Sequence, residues 1–474
     1  MTSSLPLSPR FGEKAGVRGG GEDRMSDLYR LTLTGMIRQI RRKGLSPVAL
    51  AESLLNRIDS REPTLQAWVT IDRRRVLEEA RRCEREASRG RFRGPLHGIP
   101  VGIKDIFYTA GVRTAAGSKI LARFVPSFDS TAVARLKRAG AILLGKTATT
   151  EFAHADPAPT RNPWNPDHTP GGSSSGSAAG VAAGMCPAAL GTQTGGSVLR
   201  PAAYCGVVGL KPTYGRISRY GVIPFSWSLD HVGIFTRTAQ DAGVLLTVLA
   251  GYDPRDPTSS REPVPDYTRA PRIARPLLIG VVEEFYRKNS EPGVWQNTQQ
   301  ALSRLRRAGA RVEKAKMPPA FAVVHDAHRV IMRTEGAAFH GAFYRKQADL
   351  YRPKLRELVE VGRLIPGVVY LQACRIKREF RRDMERILER FDLLLTPSTS
   401  SPAPRGLQST GDAWFQVPWS FCGLPTITLP SGLSREGLPL GIQLIGKPFG
   451  EASLLAAARW CEKALPAAPD SVLG

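Results

Sequence analysis

Thr169-Pro-Gly-Gly-Ser-Ser-Ser-Gly-Ser-Ala-Ala-Gly180 and, shortly after it, Leu190-Gly-Thr-Gln-Thr-Gly-Gly-Ser-Val-Leu-Arg-Pro201 are the stretches on which the reading of this chain turns. A flexible linker is the plainest interpretation of Gly172–Ser177. It fits poorly, because Ala178–Ala183 continues as a tight small-residue helix and Ala188-Ala-Leu-Gly then reads as a strand. A phosphate loop lacks its Gly-Lys-Ser/Thr ending. Gly172-Ser-Ser-Ser-Gly176 matches a nucleophile elbow centred on Ser174, but that elbow follows an apolar strand, and here Asn165-Pro-Asp-His-Thr-Pro-Gly precedes it. The elbow also needs a late histidine, and the last one is His340. A serine nucleophile without histidine requires another proton acceptor, and lysine serves where burial disfavours its ammonium form. Lys104 ends the apolar run Ile99-Pro-Val-Gly-Ile and fits that role; a strand-end lysine reaching solvent is the alternative.

Outward from this segment, apolar runs bounded by Gly and Pro alternate with helical patterns. Gly98–Lys104, Thr131–Ala139 and Ala141–Gly145 follow one another in this way and argue for an α/β sheet. Upstream, residues 25–95 read as an N-terminal helical segment. It includes a helix started by Ser46 as N-cap and Pro47 in the first turn, and a charged helix over Arg73–Ser88. Residues 1–24 read as a disordered tail or a mis-called start, without the apolar block of a secretory signal. Downstream, residues 96–474 read as the α/β domain, with a helical insertion over about 276–390 broken at Pro366-Gly367. Strands return at Phe391–Pro397, Thr426–Pro430 and Leu440–Gly446, followed by a helix over Glu451–Leu465. The late strands have no partners but the early ones, so both ends of the chain are expected to share one sheet.

The 474-residue chain is 42% hydrophobic and 23% charged, which excludes wholesale disorder and collagen. No apolar run is long enough for a spanning helix. Six scattered cysteines with no C-x-x-C pair suggest neither a disulfide framework nor a zinc site, and a reducing, cytoplasmic setting is expected. The 67 basic against 42 acidic residues are spread along helices punctuated by Glu, the pattern of solvated faces rather than of a nucleic-acid groove. His325 and His328 have helical spacing without the acidic partners of a metal enzyme, so no metal or other cofactor is expected.

Gly98-Ile-Pro-Val-Gly-Ile-Lys-Asp105, Pro170–Gly180, Gly191-Thr-Gln-Thr-Gly-Gly-Ser197, Gly206-Val-Val-Gly-Leu-Lys-Pro-Thr213, Cys422-Gly-Leu-Pro and Gly441-Ile-Gln-Leu-Ile-Gly together resemble the amidase signature family. The resemblance runs from about Leu28 to Leu465. It implies a single large α/β domain with a mixed central β-sheet flanked by helices. It also implies a Ser-Ser-Lys triad: Ser197 the nucleophile, Ser173 the bridging serine on a cis peptide, Lys104 the base. Backbone N–H groups of Thr194, Gly195, Gly196 and Ser197 would hold the oxyanion. The sequence departs from the common family pattern at Gln193 (usually Asp), at Arg200 (three residues after Ser197 instead of two) and at Ser175 (usually Gly).

The implied reaction cleaves a small-molecule carboxamide to a carboxylate and ammonia or an amine through an acyl-enzyme, with no membrane or nucleic-acid partner and room for a homodimer. The family includes the A subunit of glutamyl-tRNA(Gln) amidotransferase, which has partner subunits. The Arg and Asp with which that protein holds glutamine align with Leu358 and Ala413, although Asp412 is adjacent. The sequence therefore ranks a stand-alone amidase first, the tRNA-linked form second and a catalytically silent binding homologue last. Gly172, Trp414, Phe415 and Trp419 are candidate substrate contacts, and the aromatic residues serve equally well as core.

Overall fold

A computed structural model of the protein describes residues 27–466 except 270 and 272, together with 472 and 473; the tail at 1–24 lies outside the described residues. The strands are β1 (Trp68–Thr70), β2 (Pro100–Lys104), β3 (Ile142–Thr147), β4 (Ala188–Gln193), β5 (Val208–Lys211), β6 (His231–Thr236), β7 (Leu278–Val281), β8 (Arg311–Lys314), β9 (Leu393–Pro397), β10 (Thr426–Leu433) and β11 (Pro439–Ile445). They form one 11-stranded mixed sheet in the order β1-β3-β2-β4-β6-β5-β10-β11-β9-β7-β8, with helices packed around it. Pairings of β2 with β3 and β4 are parallel, as are those of β7 with β8 and β9. The seam between early and late chain is β5 against β10, antiparallel, with Ile427 opposite Leu210. Both ends of the chain thus share the sheet, as the unpaired late strands require.

The small-residue text around position 175 is explained by packing. The helix Ser175–Ala182 is buried at every position and lies directly on the sheet. A Cβ on Gly176 would stand 2.1 Å from the Ala67 carbonyl oxygen and 2.4 Å from the Ala148 nitrogen, so only glycine permits this approach. Close helix–sheet contact therefore selects Gly, Ser and Ala here, where a linker would need them for mobility.

Two boundaries differ from the sequence reading. Residues 25–95 are not purely helical, because Trp68–Thr70 forms the edge strand β1, antiparallel to β3. The stretch at 276–390 is not purely helical either, because β7 and β8 extend the sheet at its far edge. Both additions are three or four residues long, too short for period-2 alternation to register, and β8 reads Arg-Val-Glu-Lys with both ends exposed. The helices themselves follow their signals. Ser46 Oγ accepts from the N–H groups of Val48 and Ala49, each at 3.1 Å, at the start of the helix Pro47–Leu65, and the Pro-Gly break opens the helix Gly367–Arg390.

Candidate active site

Strand β2 is buried at all five positions, which carries Lys104 to full burial in the middle of the molecule. Its Nζ lies 2.7 Å from Ser173 Oγ and 2.8 Å from Thr192 Oγ1. Desolvation holds the Lys104 pKa well below the ordinary lysine value, opposed by the attraction of Asp230. Burial favours the neutral form of an amine, which has two N–H donors and one lone pair to share between the two hydroxyls.

Ser173 follows a cis Gly172–Ser173 peptide, at the entry to the helix Ser175–Ala182. Arg200, itself buried, fixes the loop: its Nη2 donates to the Gly172 carbonyl at 2.6 Å and to Thr410 Oγ1 at 3.1 Å, and its Nη1 donates to the Gly411 carbonyl at 2.8 Å. Ser174 Oγ is 3.3 Å from both the carbonyl and the N–H of Thr192, so the serine loop and β4 are held together. Ser174 is thus a strut, and Ser173 is the serine presented to the lysine. Ser175 Oγ donates to the Gly171 carbonyl at 2.7 Å, within the same loop.

Ser197 lies between the end of β4 and the helix Leu199–Cys205 and, like Gly195 on the same loop, is half-buried. Among the described residues no hydrogen bond joins it to Ser173, and the N–H groups of Gly195, Gly196 and Ser197 find no protein acceptor. Thr194 Oγ1 donates to Asp230 Oδ1 at 2.6 Å. A Cβ on Gly196 would stand 2.5 Å from Gln416 Oε1, whose side chain is buried and tied through Nε2 to the Ser398 carbonyl. Gly196→Ala is therefore expected to displace this loop and lower turnover about 10- to 100-fold, read as kcat with the melting temperature as control. Unchanged kcat would show that the loop is not held in this way.

The departures at Gln193 and Arg200 have structural work to do. Gln193 Oε1 accepts from the N–H groups of Val198 at 2.8 Å and Leu199 at 3.0 Å, satisfying orphan donors at the start of the helix that follows Ser197. Its Nε2 donates to Ser420 Oγ at 2.9 Å. An aspartate in this place has no N–H to offer.

A cavity of about 240 Å³ opens beside Thr192 and Thr194, lined on its apolar side by Ile106, Ile223, Phe225 and Trp227. A larger groove of about 1050 Å³ runs past Asn165, Arg304 and Arg435 and includes none of the residues above, whereas the smaller space is lined by Thr192, Thr194 and Asp230. The aromatic candidates fall elsewhere. Phe415 and Trp419 have no exposed surface and pack on Tyr286, with ring centroids 4.7 and 6.3 Å away, in the core; Trp414 is half exposed, its carbonyl accepting from His325 Nε2 at 3.0 Å. Their spacing around a short helix is equally a core pattern, which is why sequence alone did not separate the two uses. Leu358 is buried, with the Gly336 site against it, and Ala413 sits beside Gly195 and Gly196. Thr192, Asp230, His328 and Ser420 are contacts of the site that sequence reasoning missed. Only Thr192, on the motif strand, stood next to a signal.

A family model described as Amidase matches residues 49–455. The A subunit of glutamyl-tRNA(Gln) amidotransferase from Geotalea daltonii is 39% identical over 92% of this chain and 98% of its own length. Among solved structures, a peptide amidase bound to the competitive inhibitor chymostatin is 32% identical at a TM-score of 0.80, covering 91% of this chain and 97% of its own. The corresponding A subunit from Thermotoga maritima is 32% identical at a TM-score of 0.78, covering 93% of this chain and 96% of its own. The strand that ends in Lys104, the serine loop laid against it and the near-complete overlap with these proteins all lead to one assignment: the chain belongs to the amidase signature family.

Proposed function

We propose that the protein hydrolyses a carboxamide, with Ser197 as nucleophile, Ser173 as bridge and Lys104 as base. The observation that carries this reading is Lys104 Nζ, buried and 2.7 Å from Ser173 Oγ. As Ser197 Oγ attacks the carbonyl, its proton passes to Ser173 and that of Ser173 to neutral Lys104. The N–H groups around Gly195 and Gly196 receive the oxyanion, and the proton chain run in reverse protonates the departing nitrogen. Water then releases the carboxylate from the acyl-enzyme.

Two substrates fit this chemistry. Near full-length similarity to amidotransferase A subunits supports glutamine, with its ammonia passed to an assembly, and ranks this reading above the stand-alone amidase that the sequence puts first. The stand-alone reading keeps one specific support: at the positions where the family resemblance implies that an A subunit holds glutamine by charge, this chain carries Leu358 and Ala413, with Asp412 adjacent to the latter. The test is ammonia release from glutamine and from a panel of uncharged carboxamides, with the chain alone and co-expressed with the other subunits of a glutamyl-tRNA(Gln) amidotransferase. The amidotransferase reading expects glutamine to lead the panel and its rate to rise in the assembly. An uncharged amide leading, indifferent to co-expression, would overturn it in favour of the stand-alone amidase.

A further inference from the structure

Resting on that reading, we infer that His328 and Ser420 are positioning residues that aim the oxyanion donors, each by pinning the carbonyl on the far side of the donor's own peptide plane. In a trans peptide the C=O and the following N–H point in opposite directions. Holding the oxygen therefore aims the hydrogen. His328 Nε2 donates to the Thr194 carbonyl at 3.1 Å, which directs the Gly195 N–H to the opposite side. Ser420 Oγ donates to the Gly195 carbonyl at 2.6 Å, which does the same for the Gly196 N–H. Both peptides are trans, and the two N–H groups have no protein acceptor among the described residues.

Each pin has its own support. His328, on the helix Val324–Gln347, is buried, and burial lowers its pKa to about 4. A neutral ring facing a carbonyl must carry its proton on Nε2, so the contact itself sets the tautomer. Ser420, on the helix Val417–Phe421, has one hydroxyl hydrogen and two acceptors in range, Gly195 at 2.6 Å and Gln416 at 3.3 Å. Gln193 Nε2 occupies a lone pair of that oxygen at 2.9 Å, so the Ser420 hydrogen is free to reach the Gly195 carbonyl. Were position 193 a carboxylate, which only accepts, the hydrogen would turn towards it and the pin would be lost. Gln193 and Ser420 therefore act as one relay and His328 acts independently of it.

The probe is an alkyl fluorophosphonate. Serine Oγ forms a bond to phosphorus, fluoride leaves, the serine proton moves through Ser173 to Lys104, and the phosphoryl oxygen occupies the oxyanion position. Labelling rates are measured for wild type, Ser197→Ala, Ser420→Ala, Gln193→Glu, His328→Leu and His328→Gln, with melting temperatures alongside. Ser420→Ala, Gln193→Glu and His328→Leu are each expected to label about 10- to 100-fold more slowly. The double variant Gln193→Glu/Ser420→Ala should be no slower than the slower single, whereas Ser420→Ala with His328→Leu should multiply. His328→Gln restores an N–H donor and should recover most of the rate, which a merely space-filling histidine would not require. Should Ser420→Ala and His328→Gln melt as wild type and every soluble variant label within twofold of it while Ser197→Ala does not label, the pins are wrong and the nucleophile stands. Wild-type labelling by Ser197→Ala would instead remove the nucleophile, and this proposal with it.

Discussion

Ser197→Ala is expected to lower ammonia release about a million-fold, with KM for the amide close to unchanged. A serine that forms the acyl-enzyme has no substitute, because water placed in the same pocket lacks a held nucleophilic oxygen and a proton path; loss of such a serine elsewhere is on the order of 10^6 in kcat. Ser197 is half-buried in the loop between β4 and the helix Leu199–Cys205, with free N–H groups on that loop, so removing one hydroxyl leaves the loop in place. The melting temperature is the control. A variant that keeps more than about one-hundredth of the wild-type rate would mean that another group attacks the carbonyl.

Lys104→Met is expected to lower kcat about 10²- to 10⁴-fold, the usual contribution of a general base, and to change how stability depends on pH. Burial puts the folded-state pKa of Lys104 well below 10.5, whereas in the unfolded chain it returns to about the ordinary value. Between those two values the unfolded state holds the proton and the folded state does not. Unfolding then takes up a proton, and stability rises with pH across that window. Below the folded pKa the lysine must be charged inside the sheet, and the full penalty is felt. The variant lacks this titration, so the stability of wild type relative to the variant should climb with pH up to about 10.5. Unfolding midpoints in urea at a series of pH values measure this. Parallel curves would mean that Lys104 is charged in the folded protein.

The legibility of the site follows from how its parts act. Lys104, Ser173 and Ser197 sit in long glycine-containing motifs, and the structure brings Lys104 and Ser173 into contact. The α/β alternation, the shared sheet and the N-cap at Ser46 were readable because period, turn residues and caps are local signals. β1, β5, β7 and β8 were not, since strands of three or four residues are made by their neighbours; β6, six residues long, was also unread. The roles of His328 and Ser420 are likewise unreadable: one of three histidines on a long helix and one serine before Phe421 acquire meaning only when Thr194 and Gly195 are laid against them. Phe225 and Trp227 wall the cavity beside Thr192 and Thr194, whereas Phe415 and Trp419 lie in the core and Trp414 is half exposed; an aromatic residue in core or in pocket leaves the same trace in sequence.

The most direct examination of a neutral lysine drawing a proton through one serine from another is the pH dependence of kcat/KM for amide hydrolysis, in wild type and in Lys104→Arg. Arginine keeps the charge at every accessible pH and cannot act as base. Wild type should show an acid limb with an apparent pKa well below 10.5, and Lys104→Arg, where folded, should be inactive across the whole range. A Lys104→Arg protein that retains wild-type activity along the same limb would contradict the mechanism outright.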